Sequence, residues 1–209
     1  MSALNWRYYF DLAVFVLDAI SHLKTTLNNY YPLSEEAFLA YKNCTRLRTV
    51  EKGEVLYEIG QTPSHFAFLH RGLMRAYVID EQGNAFNKTF FAEGRFPGSM
   101  TALLTNKSSF MAIDALEKSE ILEIDFKQFR QALFENNELM AFHINYLETH
   151  WLLEKEPKEI GYLQFEAKQR YLNFLEEFNP IINRLTQYHI ASYLGITPTQ
   201  LSRIKKDLK

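Results

Sequence analysis

Between Gln187 and Lys206 the chain carries residues of the kinds that read nucleic acid, at helical spacing. At 100° per residue Thr199, Ser202, Arg203 and Lys206 project to one side, opposite Leu201, Ile204 and Leu208. Hydroxyls and a guanidinium on an open helix suit the major groove, where Arg bonds a guanine edge through two donors, worth about 1–3 kcal/mol of discrimination. Lys205, Lys206 and Lys209 suit phosphates, which add affinity without sequence choice. Such side chains need a rigid mount, and the surrounding residues predict one: two short helices around a tight turn. Ala191 is small where the helices cross, Gly195 tolerates the positive φ of the turn, and Ile190, Leu194, Ile196, Leu201 and Ile204 supply an apolar junction. Thr197-Pro198-Thr199-Gln200 is a start signal, with Thr197 as cap, Pro198 in the first helical position and Gln200 closing a capping box. The expected DNA-contacting set is Thr197, Thr199, Gln200, Ser202, Arg203, Lys205 and Lys206. The same pattern also fits a helical hairpin that never touches DNA.

Charge distribution favours the first reading without deciding it. The segment from Pro180 to Lys209 carries +4 and the remainder −6, within a net charge of −2. A basic end on an acidic body is an electrostatic footprint for phosphates, and equally a solvated basic face.

Other chemistries find little support. The 209 residues, 47% apolar and 23% charged, have a globular composition, large enough for one or two domains. Cys44 is the only cysteine, which excludes a disulfide framework and cannot by itself ligate an iron–sulfur cluster. A reducing, cytoplasmic setting is consistent with it. His65, His70, His143 and His150 show no metal-ligand spacing, and there is no Ser–His–Asp or Cys–His arrangement. An enzyme is not expected, nor a cofactor or a metal.

The rest of the chain must position the reading helices. The N-terminal residues are aromatic and apolar from Trp6 to Ile20, but Asp11 and Asp18 leave a longest charge-free run of only Leu12–Leu17. A spanning helix needs roughly 20 apolar residues, so no membrane span is expected. A helix packed on the body or a partner is one reading, contact with a membrane surface the other. From about Pro32 the pattern changes. A short helix over Ser34–Lys42 is followed by strand candidates Val55–Ile59, Phe66–His70, Leu73–Asp80, Ala85–Phe91 and Ile121–Asp125, punctuated by glycines. Asp80-Glu81-Gln82-Gly83-Asn84 is a good hairpin turn. Short strands with regular turns predict a sandwich or β-roll.

Next comes a long helix, capped by Asn136 or Asn137. Leu139, Phe142, Tyr146, Leu153, Ile160 and Leu163 fall near heptad a and d positions, so a dimer seam and packing on the chain's own domain are both open. Pro157 should kink or split this helix, which makes it a plausible hinge.

These motifs together resemble the Crp/Fnr family of bacterial transcription regulators, from about residue 32 to the end. Lys52-Gly53-Glu54, His70-Arg71-Gly72, Asp80-Glu81-Gln82-Gly83 and the run Ala115–Ile124 resemble its cyclic-nucleotide-binding-type roll, the last as the closing strand pair. Gln187–Pro198 with Leu201-Ser202-Arg203-Ile204 is similar to its DNA-binding helices. The resemblance implies an α+β chain: an N-terminal extension over 1–31, a jelly-roll-like sensor roll over 32–135, a long connecting dimerisation helix over 136–164 and a helix-turn-helix domain over 165–209. It also implies a homodimer, double-stranded DNA as partner and a small-molecule effector.

Two departures change the expectation. Nucleotide-binding members carry a Gly-Glu step for the ribose and a later Arg for the cyclic phosphate. Here Phe96-Pro97-Gly98-Ser99-Met100 puts Ser99 at the Glu position, and Lys107-Ser108-Ser109-Phe110 supplies no Arg. The degenerate effector pocket is therefore expected around Phe96, Gly98, Ser99, Met100, Ser108 and Ser109, with cyclic AMP bound weakly or not at all, because hydroxyls do not supply the charge a buried phosphate needs. The β-hairpin wing that usually follows the recognition helix has no counterpart in this sequence. A module whose helical tail docks a protein partner rather than DNA is the alternative.

Overall fold

The computed structural model describes residues 3–208, with the side chains of residues 3–15, 162 and 163 outside the description. The side chains of the expected seam residue Leu163 and of most of the aromatic N-terminal stretch fall outside it, as does Lys209.

Helix α1 spans Ala3–Asn28 and α2 spans Glu35–Lys42, the latter capped by Ser34, whose Oγ accepts from the Ala37 N–H. Seven strands follow: β1 Thr45–Val50, β2 Val55–Tyr57, β3 His65–Arg71, β4 Met74–Ile79, β5 Ala85–Phe91, β6 Ala112–Ala115 and β7 Ser119–Asp125. They form two antiparallel sheets, ordered β1-β7-β3 and β2-β6-β4-β5. The run Ala115–Ile124 is thus not a strand pair within one sheet; β6 and β7 lie in different sheets and join them. A short helix, α3 (Met100–Thr105), lies between β5 and β6.

Period-two alternation explains how the first sheet is covered on both faces. On β3, Ala67 and Leu69 point into the space between the sheets with Val50, Leu56, Met74, Ile113 and Ile121. Phe66 and Phe68 point outward, into a second core shared with Ala19, Leu23 and Leu27 of α1 and Phe38 and Tyr41 of α2. The result is a strand buried along most of its length, which reads as a continuous apolar run.

After the roll, α4 (Phe126–Glu135) is capped by Asp125, and α5 (Asn137–Leu147) by Asn136, whose Oδ1 accepts from the N–H groups of Glu138 and Leu139. The connecting helix changes at Glu148–Leu153, where it widens into π-helical turns, with the Glu154 N–H reaching back to Thr149 O at 3.0 Å. Helix α6 then spans Lys155–Gln164. The irregularity ends at Leu153, four residues before Pro157, which lies in the first turn of α6 and has no N–H to donate to the Leu153 carbonyl.

Helix α7 (Ala167–Glu177), a 3₁₀ segment (Asn179–Arg184), α8 (Gln187–Leu194) and α9 (Pro198–Asp207) complete the chain. Their core, built on Phe174, Phe178, Ile190, Leu194 and Leu201, also takes in Leu73 and Phe90 of the roll. The α+β reading holds: a two-sheet roll followed by helices. No helix among the described residues is long and apolar enough to cross a membrane.

Candidate nucleic-acid interface and effector cassette

Local capping rules build the head. Thr186 Oγ1 accepts from the His189 N–H to start α8. Gly195, at φ +65°, ends it, and the Ile196 N–H returns to Ala191 O at 3.1 Å. The α9 capping box is complete: the Gln200 N–H donates to Thr197 Oγ1 at 3.2 Å, and the Thr197 N–H to Gln200 Oε1 at 2.8 Å.

Burial divides α9 into two faces. Leu201 is fully buried and Ile204 partly so, while Thr199, Ser202, Arg203 and Lys206 are exposed on the far side. Thr197 and Gln200 are exposed but occupied by the cap. Lys205 is half-buried, with Nζ 5.9 Å from the Tyr171 ring centroid. Leu208, expected in the buried stripe, is 39% exposed, because α9 ends at Asp207.

Sequence reasoning missed how the head is mounted. Ser192 Oγ of α8 donates to Ala85 O of β5 at 2.7 Å and accepts from the Asn87 N–H at 3.0 Å. Asn87 Nδ2 donates to His189 O at 2.9 Å. Arg75 forms a bidentate pair with Asp114 (2.8 and 2.9 Å) and directs Nη1 toward Asn87 Oδ1 at 3.0 Å. Burial, and then the Arg75 charge, lower the His189 pKa below its ordinary value, which keeps the ring neutral against the roll. Arg184 adds an ion-pair fork, to Glu93 at 3.0 Å and Glu117 at 2.7 Å. Only long-range pairing makes this mount, so no local signal marks it.

The residues expected to form an effector cassette are packed on one another. Ser99 and Ser109 are both buried, and their hydroxyls hydrogen bond at 2.9 Å. Ser109 Oγ also donates to Met111 O at 2.6 Å and accepts from the Met111 N–H at 3.2 Å. Gly98 lies so close to Phe66 that an added Cβ would sit 2.7 Å from the Phe66 Cβ. Phe96 is buried against Phe66, Phe68 and Tyr146. Met100 is half-buried, and Ser108 is exposed, apart from the Ser99–Ser109 pair.

The cassette touches the connecting helix at two points. Tyr146 meets Phe96 edge to face with centroids 5.3 Å apart, and Arg95 Nη2 donates to Glu154 Oε2 at 3.1 Å. Burial would raise the Glu154 carboxyl, but His150 and Arg95 outweigh it and hold the pKa at about 2. Leu139 and Phe142 of α5 are buried in the chain's own core and Tyr146 packs against it, whereas Leu153 is 74% exposed. Ile144, Leu147 and Trp151 form another exposed apolar row, at spacings of three and four. No cluster of metal-ligating side chains is found among the described residues.

Residues 47–136 match the family model described as "Cyclic nucleotide-binding domain". No curated protein matches the chain in sequence. Among solved structures, FixK2 from Bradyrhizobium japonicum is similar at 17% identity and a TM-score of 0.66, over 78% of this chain and 84% of that one. The c-di-GMP-responsive global regulator CLP of Xanthomonas campestris is similar at 14% identity and 0.66, over 84% and 91%. The catabolite activator protein of Thermus thermophilus is similar at 17% identity and 0.55, over 88% and 86%. Residues 47–136 are therefore similar to the cyclic nucleotide-binding domain family, within a chain whose fold is that of these three regulators.

Proposed function

We propose that the chain is a homodimeric, cytoplasmic, DNA-binding transcription regulator whose sensor roll does not take cyclic AMP in the usual way. The observation that carries this reading is the two-faced α9. Leu201 anchors it in the head, and Thr199, Ser202, Arg203 and Lys206 stand open to a groove. In this reading Arg203 reads a base edge, Ser202 and Thr199 add hydroxyl contacts, and Lys206 neutralises phosphate. Thr197 and Gln200 hold the helix start, and Lys205 adds charge beside Tyr171.

The division proposed is an extension over 1–31, a sensor roll over 32–135, a connecting and dimer helix over 136–164 and a reading head over 165–209. Two heads in a dimer would meet half-sites one duplex turn apart, about 34 Å. The dimer face proposed is the row Ile144, Leu147 and Trp151, because Leu139 and Phe142 are spent inside the chain and Leu153, two residues after Trp151, points to another side of the helix. An effector acts in this scheme by altering the links at Tyr146–Phe96, Arg95–Glu154 and Asn87–His189. Ser99 and Ser109, bonded to each other, offer an anionic phosphate no charge.

Retardation of a palindromic duplex at rising salt tests the reading. Affinity should fall steeply as salt rises, because each neutralised phosphate releases counterions. A flat salt dependence would favour a tail that docks a protein.

A further inference from the structure

A pocket lies away from the cassette, where the connecting helix meets the head. Its volume is about 280 Å³, just below the roughly 300 Å³ at which ordinary small-molecule sites begin. Helix α6 contributes Pro157, Lys158 and Gly161, α7 contributes Arg170 and Asn173, and α8 contributes Leu194. Phe165 and Phe174 complete an apolar wall. Gly161 makes room for that wall: a Cβ there would lie 3.1 Å from the Phe165 ring.

The polar groups do not cancel. Glu154 is taken by Arg95 and His150, and Glu177 by Lys158 at 2.8 Å across the α6–α7 junction. Asn173 Oδ1 accepts from Gln169 at 2.9 Å, which leaves its amide donor free of that bond. Arg170 Nε is buried without a hydrogen-bond partner among the described residues. Arg170 as a whole is only partly buried, and no ion pair engages it among the described residues, so an acceptor bearing negative charge is the partner its guanidinium meets best.

We infer that this pocket is a binding site for a small carboxylate with a hydrocarbon or aromatic body, its head held by Arg170 and its body laid against Phe165, Phe174 and Pro157. A carboxylate matches the planar guanidinium, and the small volume excludes a nucleotide-sized ligand. Bound there, the ligand touches α6, α7 and α8 together, and so stiffens the joint between sensor and head. The binding event stands without the DNA-reading proposal.

Calorimetric titration of the full chain with octanoate and with phenylacetate, each beside its neutral amide, tests the inference. The expected result is one site per chain for at least one acid, with a dissociation constant of about 1 mM or tighter and no comparable binding of the amides. Arg170→Gln should weaken binding about tenfold or more. Phe165→Ala, at a position 41% exposed and so tolerant of truncation, should weaken it independently of the charge. Preference for octanoate or for phenylacetate identifies the body as aliphatic or aromatic, and either supports the site. Two acids that fail to bind overturn the inference. So do equal affinities for acid and amide, or unchanged binding by Arg170→Gln. In all arms amide exchange of α6 serves as a second readout: ligand should protect it, whatever the chain does with DNA.

Discussion

Asn87 Nδ2 of strand β5 donates a hydrogen bond of 2.9 Å to the backbone oxygen of His189 in α8. The two residues are 102 positions apart, and their bond ties the two-sheet roll directly to α8, the first helix of the proposed reading head. Asn87→Ala leaves His189 O without that partner and should release part of the mount. Amide exchange across α8 should rise while β3 and β7 stay protected, and global stability should fall by about 1 kcal/mol. Arg184→Gln, which removes the fork to Glu93 and Glu117, should act in the same direction. Unchanged exchange in both variants would mean that the apolar contacts of Phe90 and Leu73 hold the head alone.

Packing of the expected cassette residues makes a second prediction. Cyclic AMP titrated into the full chain should give no tight, saturable binding, because the buried hydroxyls of Ser99 and Ser109 are bonded to each other and bring no charge to a phosphate. Ser109→Ala should cost about 1–3 kcal/mol, since it leaves the Ser99 hydroxyl and the Met111 N–H unmatched inside the protein. Denaturant melts of the variant check the second statement, and a micromolar dissociation constant for cyclic AMP would refute the first.

The turn between α8 and α9 should be sensitive to backbone conformation alone. Gly195 sits at φ +65° with open space around its Cα, so an added side chain meets strain rather than a clash. Gly195→Val should destabilise the head by about 1–2 kcal/mol. Gly195→Asn should cost less, since Asn tolerates this region. Equal melting temperatures for the two variants would contradict the argument.

Acid should loosen the joint between α4 and α5. Burial, followed by the Arg130 charge, lowers the His143 pKa from 6.5 to about 4. The unfolded chain therefore takes up a proton between those values that the folded chain refuses, so stability is full above about pH 6.5 and is lost as pH falls toward 4. Between pH 7.5 and pH 5 this group should cost about 1–2 kcal/mol, allowing for its partial exposure. Urea midpoints of the protein and of His143→Leu at both pH values isolate it: the variant should lose less on acidification.

Legibility in the sequence followed the range of the interactions. Helices α8 and α9, the capping box at Thr197 and Gln200, the turn at Asp80–Asn84 and the whole of β5 rest on neighbouring residues, and were readable. Strand β1 was not, because Arg46 and Arg48 make it look polar; their partner, Glu123, is 75 or more positions away on β7. Helix α4, starting immediately after β7, was missed as well. The heptad stripe of the connecting helix was visible, but not that α1 and α2 would cover Leu139 and Phe142. Similarly, serines at the cassette were plain in the sequence, whereas their mutual hydrogen bond goes with a long-range pairing of the Ser109 backbone to Gly60 and Gln61.

Selection of binding sites from random duplexes, run in parallel with the Arg203→Ala protein, tests the central proposal most directly. The account predicts enrichment of a palindrome with half-site centres one helical turn apart, and loss of preference at one base pair per half-site in the variant, at about 1–3 kcal/mol. Recovery of no enriched sequence, or of the same sequence with undiminished preference by Arg203→Ala, would contradict it.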